Sequence, residues 1–475
     1  MDTVASAVER LGRLAATPRV AALATAFEAA GHELALVGGP VRDAFLGRRV
    51  NDLDFTSSAN PDEILAIVAP LAQAHWDVGR AFGTIAARID GETVEITTYR
   101  SDVYDGETRK PEVEFGDTLE GDLVRRDFTV NAMALRLPSL VLVDPSGGVE
   151  HLLEGLLETP GSAVDSFRDD PLRMMRAARF TSQLGFQVSA GVRAAMESRA
   201  STIEIVSVER VTDELSKLLT TDDPVPGIRL LVETGIASLM LPELPAMILE
   251  ADEHHHHKDV YEHSLTVLSQ AIGYEKERMA EDARPDLVLR LASLLHDAGK
   301  PATRRLEPGG IVTFHHHDVV GAKLVAKRLK ALRFDNDTIK SVSKLVELHL
   351  RFFGYTEGAW TDSAVRRYVR DAGDQLERLH ILTRSDVTTR NRRKADRLGF
   401  AYDDLEERIR VLSEQEELDS MRPDLDGDRI QEVLGIKPSR AVGEAYRFLL
   451  ELRTEEGPLG EAEATKRLLE WWSAR

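Results

Sequence analysis

The stretch Gly38-Gly39-Pro40-Val41-Arg42-Asp43, followed closely by Asn51-Asp52-Leu53-Asp54-Phe55, decides how the first part of this chain is read. The glycine pair is expected to open a helix, and the two acids are expected on a strand. Alternate strand residues share a face, so Asp52 and Asp54 would meet one metal cluster. Glycines at a helix N-terminus leave backbone N–H groups bare for a phosphate. A phosphate cradle and a carboxylate pair for Mg²⁺ are two parts that phosphoryl transfer needs. An ordinary turn before a strand with two solvated acids has the same local pattern; the residues downstream separate the two.

Around this stretch, Leu34–Val37, Thr84–Ile89, Val94–Thr97 and Leu140–Val143 read as strands bounded by glycines and turns, the last ending at Asp144-Pro145-Ser146-Gly147-Gly148. Residues 1–30 read as helical. Beyond residue 150, helix-period apolar patterns dominate, with one expected strand at Gly310–Phe314. The fold class is therefore α+β: a small mixed-sheet head followed by an elongated all-helical body. Boundaries are expected near 150, 250 and 390, giving segments 1–150, 151–250, 251–390 and 391–475.

A chain of 475 residues exceeds one core and suggests three or four domains. Its 43% apolar and 29% charged content is that of a soluble globular protein. No run of 18 apolar residues is present, so no membrane partner is expected, and the charged first residues do not read as a signal peptide. There is no cysteine, which excludes disulfides and thiolate metal sites and suits a cytoplasmic location. The net charge of −20 is the wrong sign for indiscriminate nucleic-acid binding. Basic residues do cluster locally, at Lys323, Lys327, Arg328, Lys330 and Arg333, at Arg366, Arg367 and Arg370, and at Arg390, Arg392, Arg393, Lys394 and Arg397. Such runs are either solvated helix faces or RNA contacts.

Three further clusters bear on chemistry. Glu95, on an alternating strand, reads as a third carboxylate beside Asp52 and Asp54, as a general base, or as a surface glutamate. Arg125-Arg126-Asp127-Phe128-Thr129-Val130-Asn131 offers guanidinium forks for phosphate or ribose oxygens, or a capped helix with exposed arginines. In Asp169-Asp170-Pro171-Leu172-Arg173, Asp170 suits an N-cap, with Leu172, Met175 and Phe180 as core and Arg173, Arg176 and Arg179 as a stripe at spacing three. That stripe has a sharper use. Cytosine and adenine present an amine donor beside a ring-nitrogen acceptor, whereas guanine and uracil present the reverse. A carboxylate beside a guanidinium complements the first pair, and the wrong base leaves polar groups unpaired at ~1–3 kcal/mol each. Arg176 and Arg179 would face the triphosphate or brace the site.

The ordered series Gly38-Gly39-x-x-Arg42-Asp43, Asp52-x-Asp54, Arg125-Arg126-Asp127-Phe128-Thr129-x-Asn131-Ala132, Asp144-Pro145-x-Gly147-Gly148, Asp169-Asp170-x-x-Arg173-x-x-Arg176 and Glu209-Arg210-Val211-x-x-Glu214 resembles the motifs of the class II tRNA nucleotidyltransferase/poly(A) polymerase family. The resemblance implies a nucleotidyltransferase head, then neck, body and tail, and untemplated addition of CCA to the tRNA 3′ end from CTP and ATP. It implies that Asp52 and Asp54 bind Mg²⁺. Gly38, Gly39 and Arg42 would hold the triphosphate, Arg126 with Arg125 would contact ribose or phosphate, and Asp170 with Arg173 would read the base. Position 169 departs from the family's usual glutamate. Residues 100–123, with Arg109 and Lys110, resemble the flexible loop of complete CCA enzymes, and Asp426 to Gly443 resembles the family tail.

Nine of fourteen histidines fall between 254 and 317. His254 to His257 reads as a polar loop. His263, His296-Asp297 and Asp386 resemble, in order, the ligands of the HD phosphohydrolase superfamily, with His316 or His317 and His349 able to complete a second metal site. Imidazole and carboxylate ligands suit Mn, Fe, Ni or Mg. A CCA-adding tRNA nucleotidyltransferase with an HD domain is the reading taken. A bacterial poly(A) polymerase and an HD metallophosphohydrolase with a nucleotide-sensing head are the alternatives.

Overall fold

The computed structural model describes residues 4–50, 52–76, 79–80, 83–103, 112–115, 118–249, 259–278, 283–308, 311–357, 360–388, 391–416 and 422–474. Asn51, Arg109, Lys110, His254 to His257, Gly310 and Arg390 lie outside them. The chain forms two compact units, Met1–Met240 and Leu241–Arg475.

The first unit begins with helices Val4–Ala15 and Pro18–Ala29 and then builds a mixed sheet. Its strands are β1 (Leu34–Val37), β2 (Leu53–Ser57), β3 (Ala74–Trp76), β4 (Thr84–Ile89), β5 (Glu92–Thr98), β8 (Ala134–Leu137) and β9 (Leu142–Val143), with β6 (Arg100–Val103) and β7 (Glu112–Phe115) paired apart. The spatial order is β3-β4-β5-β2-β1-β8-β9. All neighbours are antiparallel except β2 and β5, which run parallel and place Asp54 opposite Glu95. The glycine pair opens a helix as expected. Gly38 takes φ 72°, a conformation costly for a side chain, and the helix Gly39–Leu46 starts directly after it. The expected strand at 140–143 shrinks to Leu142–Val143, because Leu140 sits at φ 58° in the turn from β8. Asp52 lies just before the first residue of β2 rather than within it.

Helices follow the sheet, with one two-residue strand pair (Leu156–Leu157 with Gln187–Val188) that no long apolar run announces. Helix Leu172–Leu184 is central. Leu172, Met174, Met175, Ala177, Ala178 and Phe180 are buried, leaving the arginine stripe as its polar edge. Helix Val225–Glu233 lies against it at Gly227. There a Cβ would stand 2.2 Å from the Ala178 carbonyl oxygen and 2.6 Å from Leu218 Cδ1.

Among the described residues, the second unit is helical apart from the hairpin Arg305–Glu307/Ile311–Thr313. The helices Val260–Arg278, Leu287–Leu295, His317–Ala331, Asn336–Leu348 and Leu376–Ser385 make its middle. There a fully buried ion pair joins Glu275 to Arg290 at 2.9 Å. Leu425, Ile430, Ala445, Leu449, Ala464 and Leu468 form a separate C-terminal core. No helix of the described residues is long and apolar enough to cross a membrane. Two cations of the basic runs are committed internally rather than to solvent or RNA: Arg328 pairs with Glu243 at 2.9 Å, and Arg366 is buried.

Gly227→Ala is expected to destabilise the first unit by ~1–3 kcal/mol through overpacking against the Ala178 carbonyl. Gly12→Ala, in a helix with nothing within 4 Å of the new methyl, is expected to stabilise it by roughly 0.5–1 kcal/mol. Thermal unfolding of the two variants beside the parent protein reads both signs.

Candidate active site and metal centre

The parallel β2–β5 register puts Asp54 and Glu95 side by side, with Asp52 one residue outside the strand. The Asp54 carboxyl is pushed up to about 6 by burial first, then by the negative charges of Glu95 and Asp52, against the opposing pull of Arg126 and Arg42. Oxygen donors crowded together at this cost are the donor set that a hard divalent cation satisfies.

Beside them lies the glycine-opened helix. Arg42, on its first turn, is buried; its Nε donates to Asp43 Oδ1 (2.9 Å) and its Nη1 to Asn131 Oδ1 (2.7 Å). Arg126 reaches the same place from the other side. Its Nη1 lies 3.6 Å from where a Gly38 Cβ would stand, and its buried Nε has no hydrogen-bond partner. Both Arg125 and Arg126 hang on Asp122, which has no exposed surface. Asp122 accepts from Arg125 Nε (3.0 Å), Arg126 Nη2 (3.0 Å) and Thr56 Oγ1 (3.2 Å). Sequence reading missed Asp122; its only signal was its spacing of three and four residues from the two arginines on a short helix.

A cavity of about 250 Å³ opens next to Arg126, lined also by Asp127, Asp170, Leu172, Arg173, Arg176 and Arg210. Asp170 closes the short helix Ala163–Asp169, and Pro171, not Asp170, is the N-cap of the next. Asp170 still accepts the Leu172 N–H at 3.1 Å, and its second oxygen accepts from Arg210 at 3.0 Å. Arg173 donates to Ser166 Oγ (2.8 Å) and the Arg125 carbonyl (2.6 Å).

Arg176 and Arg179 brace. Arg176 Nε and Nη2 reach Asp127 Oδ2 at 2.7 and 2.6 Å, and Arg179 Nε reaches the buried Glu214 at 2.7 Å. Burial would raise the Asp127 carboxyl, but Arg176, Asn131 and the Phe128 N–H hold it down at about 2. The guanidinium groups of Arg42, Arg176 and Arg179 lie 5.5, 5.4 and 4.2 Å from the centre of the Phe180 ring, within cation–π range.

The second unit gathers His263, His296, Asp297 and Asp386 as expected, and adds His317 and His349, not His316. His263 Nε2 lies 2.8 Å from Asp386 Oδ1 and 3.4 Å from His296 Nε2. Asp297 belongs to the triad with His317 and His349, its Oδ1 3.3 and 3.9 Å from their Nε2 atoms, while its Oδ2 is 3.3 Å from His296 Nε2 in the other triad.

Three imidazoles are oriented by backbone. The Nδ1 atoms of His296, His317 and His349 donate to the carbonyls of Ser293 (2.9 Å), Phe314 (2.8 Å) and Val346 (2.6 Å). A carbonyl only accepts, so these rings keep Nε2 free for a ligand role. The buried Nε2 atoms of His317 and His349 have no hydrogen-bond partner, which an ion would supply. Burial and the nearby His296 push His349 down to about 4, so it stays neutral. Burial alone would lower His296, but Asp297 and Asp386 outweigh it and raise it to about 10, a proton taking the place of a cation's charge. At Gly299 the turn after Asp297 packs directly on the helix that begins at His317: a Cβ there would stand 2.0 Å from the His317 carbonyl oxygen and 2.6 Å from the Gly321 nitrogen.

Family models match residues 34–158 (poly A polymerase head domain), 185–247 (probable RNA and SrmB-binding site of polymerase A) and 260–391 (HD domain). The A-adding tRNA nucleotidyltransferase of Deinococcus radiodurans is 34% identical over 92% of this chain and 95% of its own length. The CCA-adding enzyme of Geobacillus thermodenitrificans is 42% identical over 44% of this chain, and the chain spans only 51% of that relative. A crystal structure of the Bacillus stearothermophilus CCA-adding enzyme with CTP shares the fold, with TM-score 0.67 and 24% identity over 97% of this chain and 99% of that one. The Thermotoga maritima CCA-adding enzyme with tRNA does so at TM-score 0.60 and 18% identity, over 98% of each chain. With a carboxylate cluster in the first unit, a histidine–aspartate cluster in the second and a relative matching nearly end to end, the chain belongs to the tRNA nucleotidyltransferase/poly(A) polymerase family and is a tRNA nucleotidyltransferase.

Proposed function

We propose that this enzyme completes the CCA end of tRNA, adding CMP and AMP from CTP and ATP, and that it works in the cytoplasm. The observation that carries this reading is the cavity that holds Asp170 and Arg173 and is walled by Arg126, whose charge also acts on Asp54. An amine-bearing base would donate to Asp170 while its ring nitrogen accepts from Arg173, which admits cytosine and adenine alike and refuses uracil and guanine. Gly38, Gly39 and Arg42 would hold the triphosphate, with Arg126 and Arg125 on its ribose side. Asp122 fixes the last two, and Asp127 fixes Arg176 behind the base pocket. Asp52 and Asp54 would hold Mg²⁺, with Glu95 as third carboxylate. Two such ions, once bound, activate the 3′-hydroxyl and neutralise the departing pyrophosphate. The same reading divides the chain into head (1–150), neck (151–250), HD domain (251–390) and tail (391–475), and the limits of the matched family models support it.

One observation favours a narrower product. A relative that matches nearly the whole chain is named A-adding, whereas two CCA-adding relatives from Geobacillus align over about half their length. In the second unit, we infer a two-cation phosphohydrolase centre of Mn, Ni or Mg. His263, His296 and Asp386 would hold one ion, and Asp297, His317 and His349 the other. Metal bound there would supply Lewis-acid chemistry for phosphoester hydrolysis.

Each nucleotide supplied alone separates the products. Complete activity adds two C residues to tRNA ending at its unpaired base when only CTP is present, and one A to tRNA ending in CC when only ATP is present; an A-adding enzyme does only the second. Asp54→Asn is expected to lower kcat for either step by on the order of 10²–10³, the scale of losing one stabiliser of transition-state charge. The parent protein desalted after nickel loading is expected to retain one more equivalent, by elemental analysis, than the His317→Ala/His349→Ala variant. Equal content would remove the second ion.

A further inference from the structure

Asp170 and Arg173 stand three residues apart at a helix start, a spacing at which an acid and a base commonly close on each other. A closed pair would satisfy itself and offer a base neither acceptor nor donor. Here each is held by a third group. Arg173 gives its N–H groups to Ser166 Oγ at 2.8 Å and to the Arg125 carbonyl at 2.6 Å. Asp170 is held on one oxygen by the Leu172 N–H and on the other by Arg210, forty residues downstream. The Arg210 side chain is 55% exposed, against 29% for Asp170, and both residues line the same cavity.

We propose that Arg210 is a positioning residue for base selection. It holds Asp170 away from Arg173, so that both remain available to the amino group and ring nitrogen of an incoming cytosine or adenine. This rests on the base-reading role proposed above for Asp170 and Arg173. A carboxylate has about four acceptor positions, so Asp170 keeps room for the base's amine after its two contacts. Arg210 contributes orientation and charge without touching the reacting phosphorus. Its loss is therefore felt in nucleotide affinity and choice rather than in the chemical step.

The test uses the full chain and tRNA. It measures KM and kcat for CTP and ATP, together with misincorporation of UTP, in the parent protein and in Arg210→Ala, Arg210→Lys and Asp170→Ala. Arg210→Ala is expected to raise KM for both nucleotides roughly fivefold at nearly constant kcat, and to narrow discrimination against UTP by a similar factor. Arg210→Lys keeps the charge and is expected to restore most of both. Parent-like KM and discrimination in Arg210→Ala, with discrimination lost in Asp170→Ala, overturns the role of Arg210 alone. A fall in kcat at unchanged KM also overturns it. Base choice left intact by Asp170→Ala overturns the base-reading assignment, and this proposal with it.

Discussion

The first unit depends on one problem: many like-charged arginines must be held around a small space without repelling it open. Asp127 is the main solution. It is buried, it accepts from Arg176 and Asn131, and Asn131 in turn accepts from Arg42. This chain of charge-assisted bonds ties the helix behind the glycine pair to the helix Leu172–Leu184, which carries Arg176. Breaking one partner of such a pair leaves a buried charge without its counterion, a penalty of ~3–5 kcal/mol. Phe180 adds a shared surface against which three guanidinium groups rest.

Asp122 and Glu214 repeat the device at either end, one under Arg125 and Arg126, the other beside Arg179. All three acids spend their oxygens on arginines and neighbouring polar groups, so in the proposed reading substrate contact falls to the guanidinium faces. Their work is to fix long flexible side chains before a ligand arrives, so that little ordering entropy remains to be lost on binding.

Much of the fold was legible because its signals are local. The glycine pair, β1, β4 and β5, and the helix starting at Leu172 follow from spacing and turn chemistry within a few residues. What was not legible is long-range. Asp127 meets Arg176 across 49 positions, Arg42 meets Asn131 across 89, and Arg210 meets Asp170 across 40. No periodicity encodes such pairings, so Arg176 and Arg179 read equally well as phosphate ligands or as braces. The choice between His316 and His317 was undecidable for a related reason. His316 sits at φ 61° ahead of the helix, and only the close approach at Gly299 reveals which neighbour turns inward. Leu140–Val143 was read too long because a β-rich composition does not reveal a turn with positive φ.

The histidines of the second unit have a consequence of their own. His296, His317 and His349 each anchor Nδ1 to the carbonyl three residues earlier, so ring orientation is inherited from backbone turns rather than imposed by an ion. The Nε2 nitrogens are aimed by the fold itself before any ion is bound. A cation in the proposed centre would meet donors already in place, so ions of similar size and softness would fit alike. Swapping one borderline transition ion for another would then leave the polypeptide unmoved, and the cell's supply of metals, more than the protein's shape, would set which one it carries.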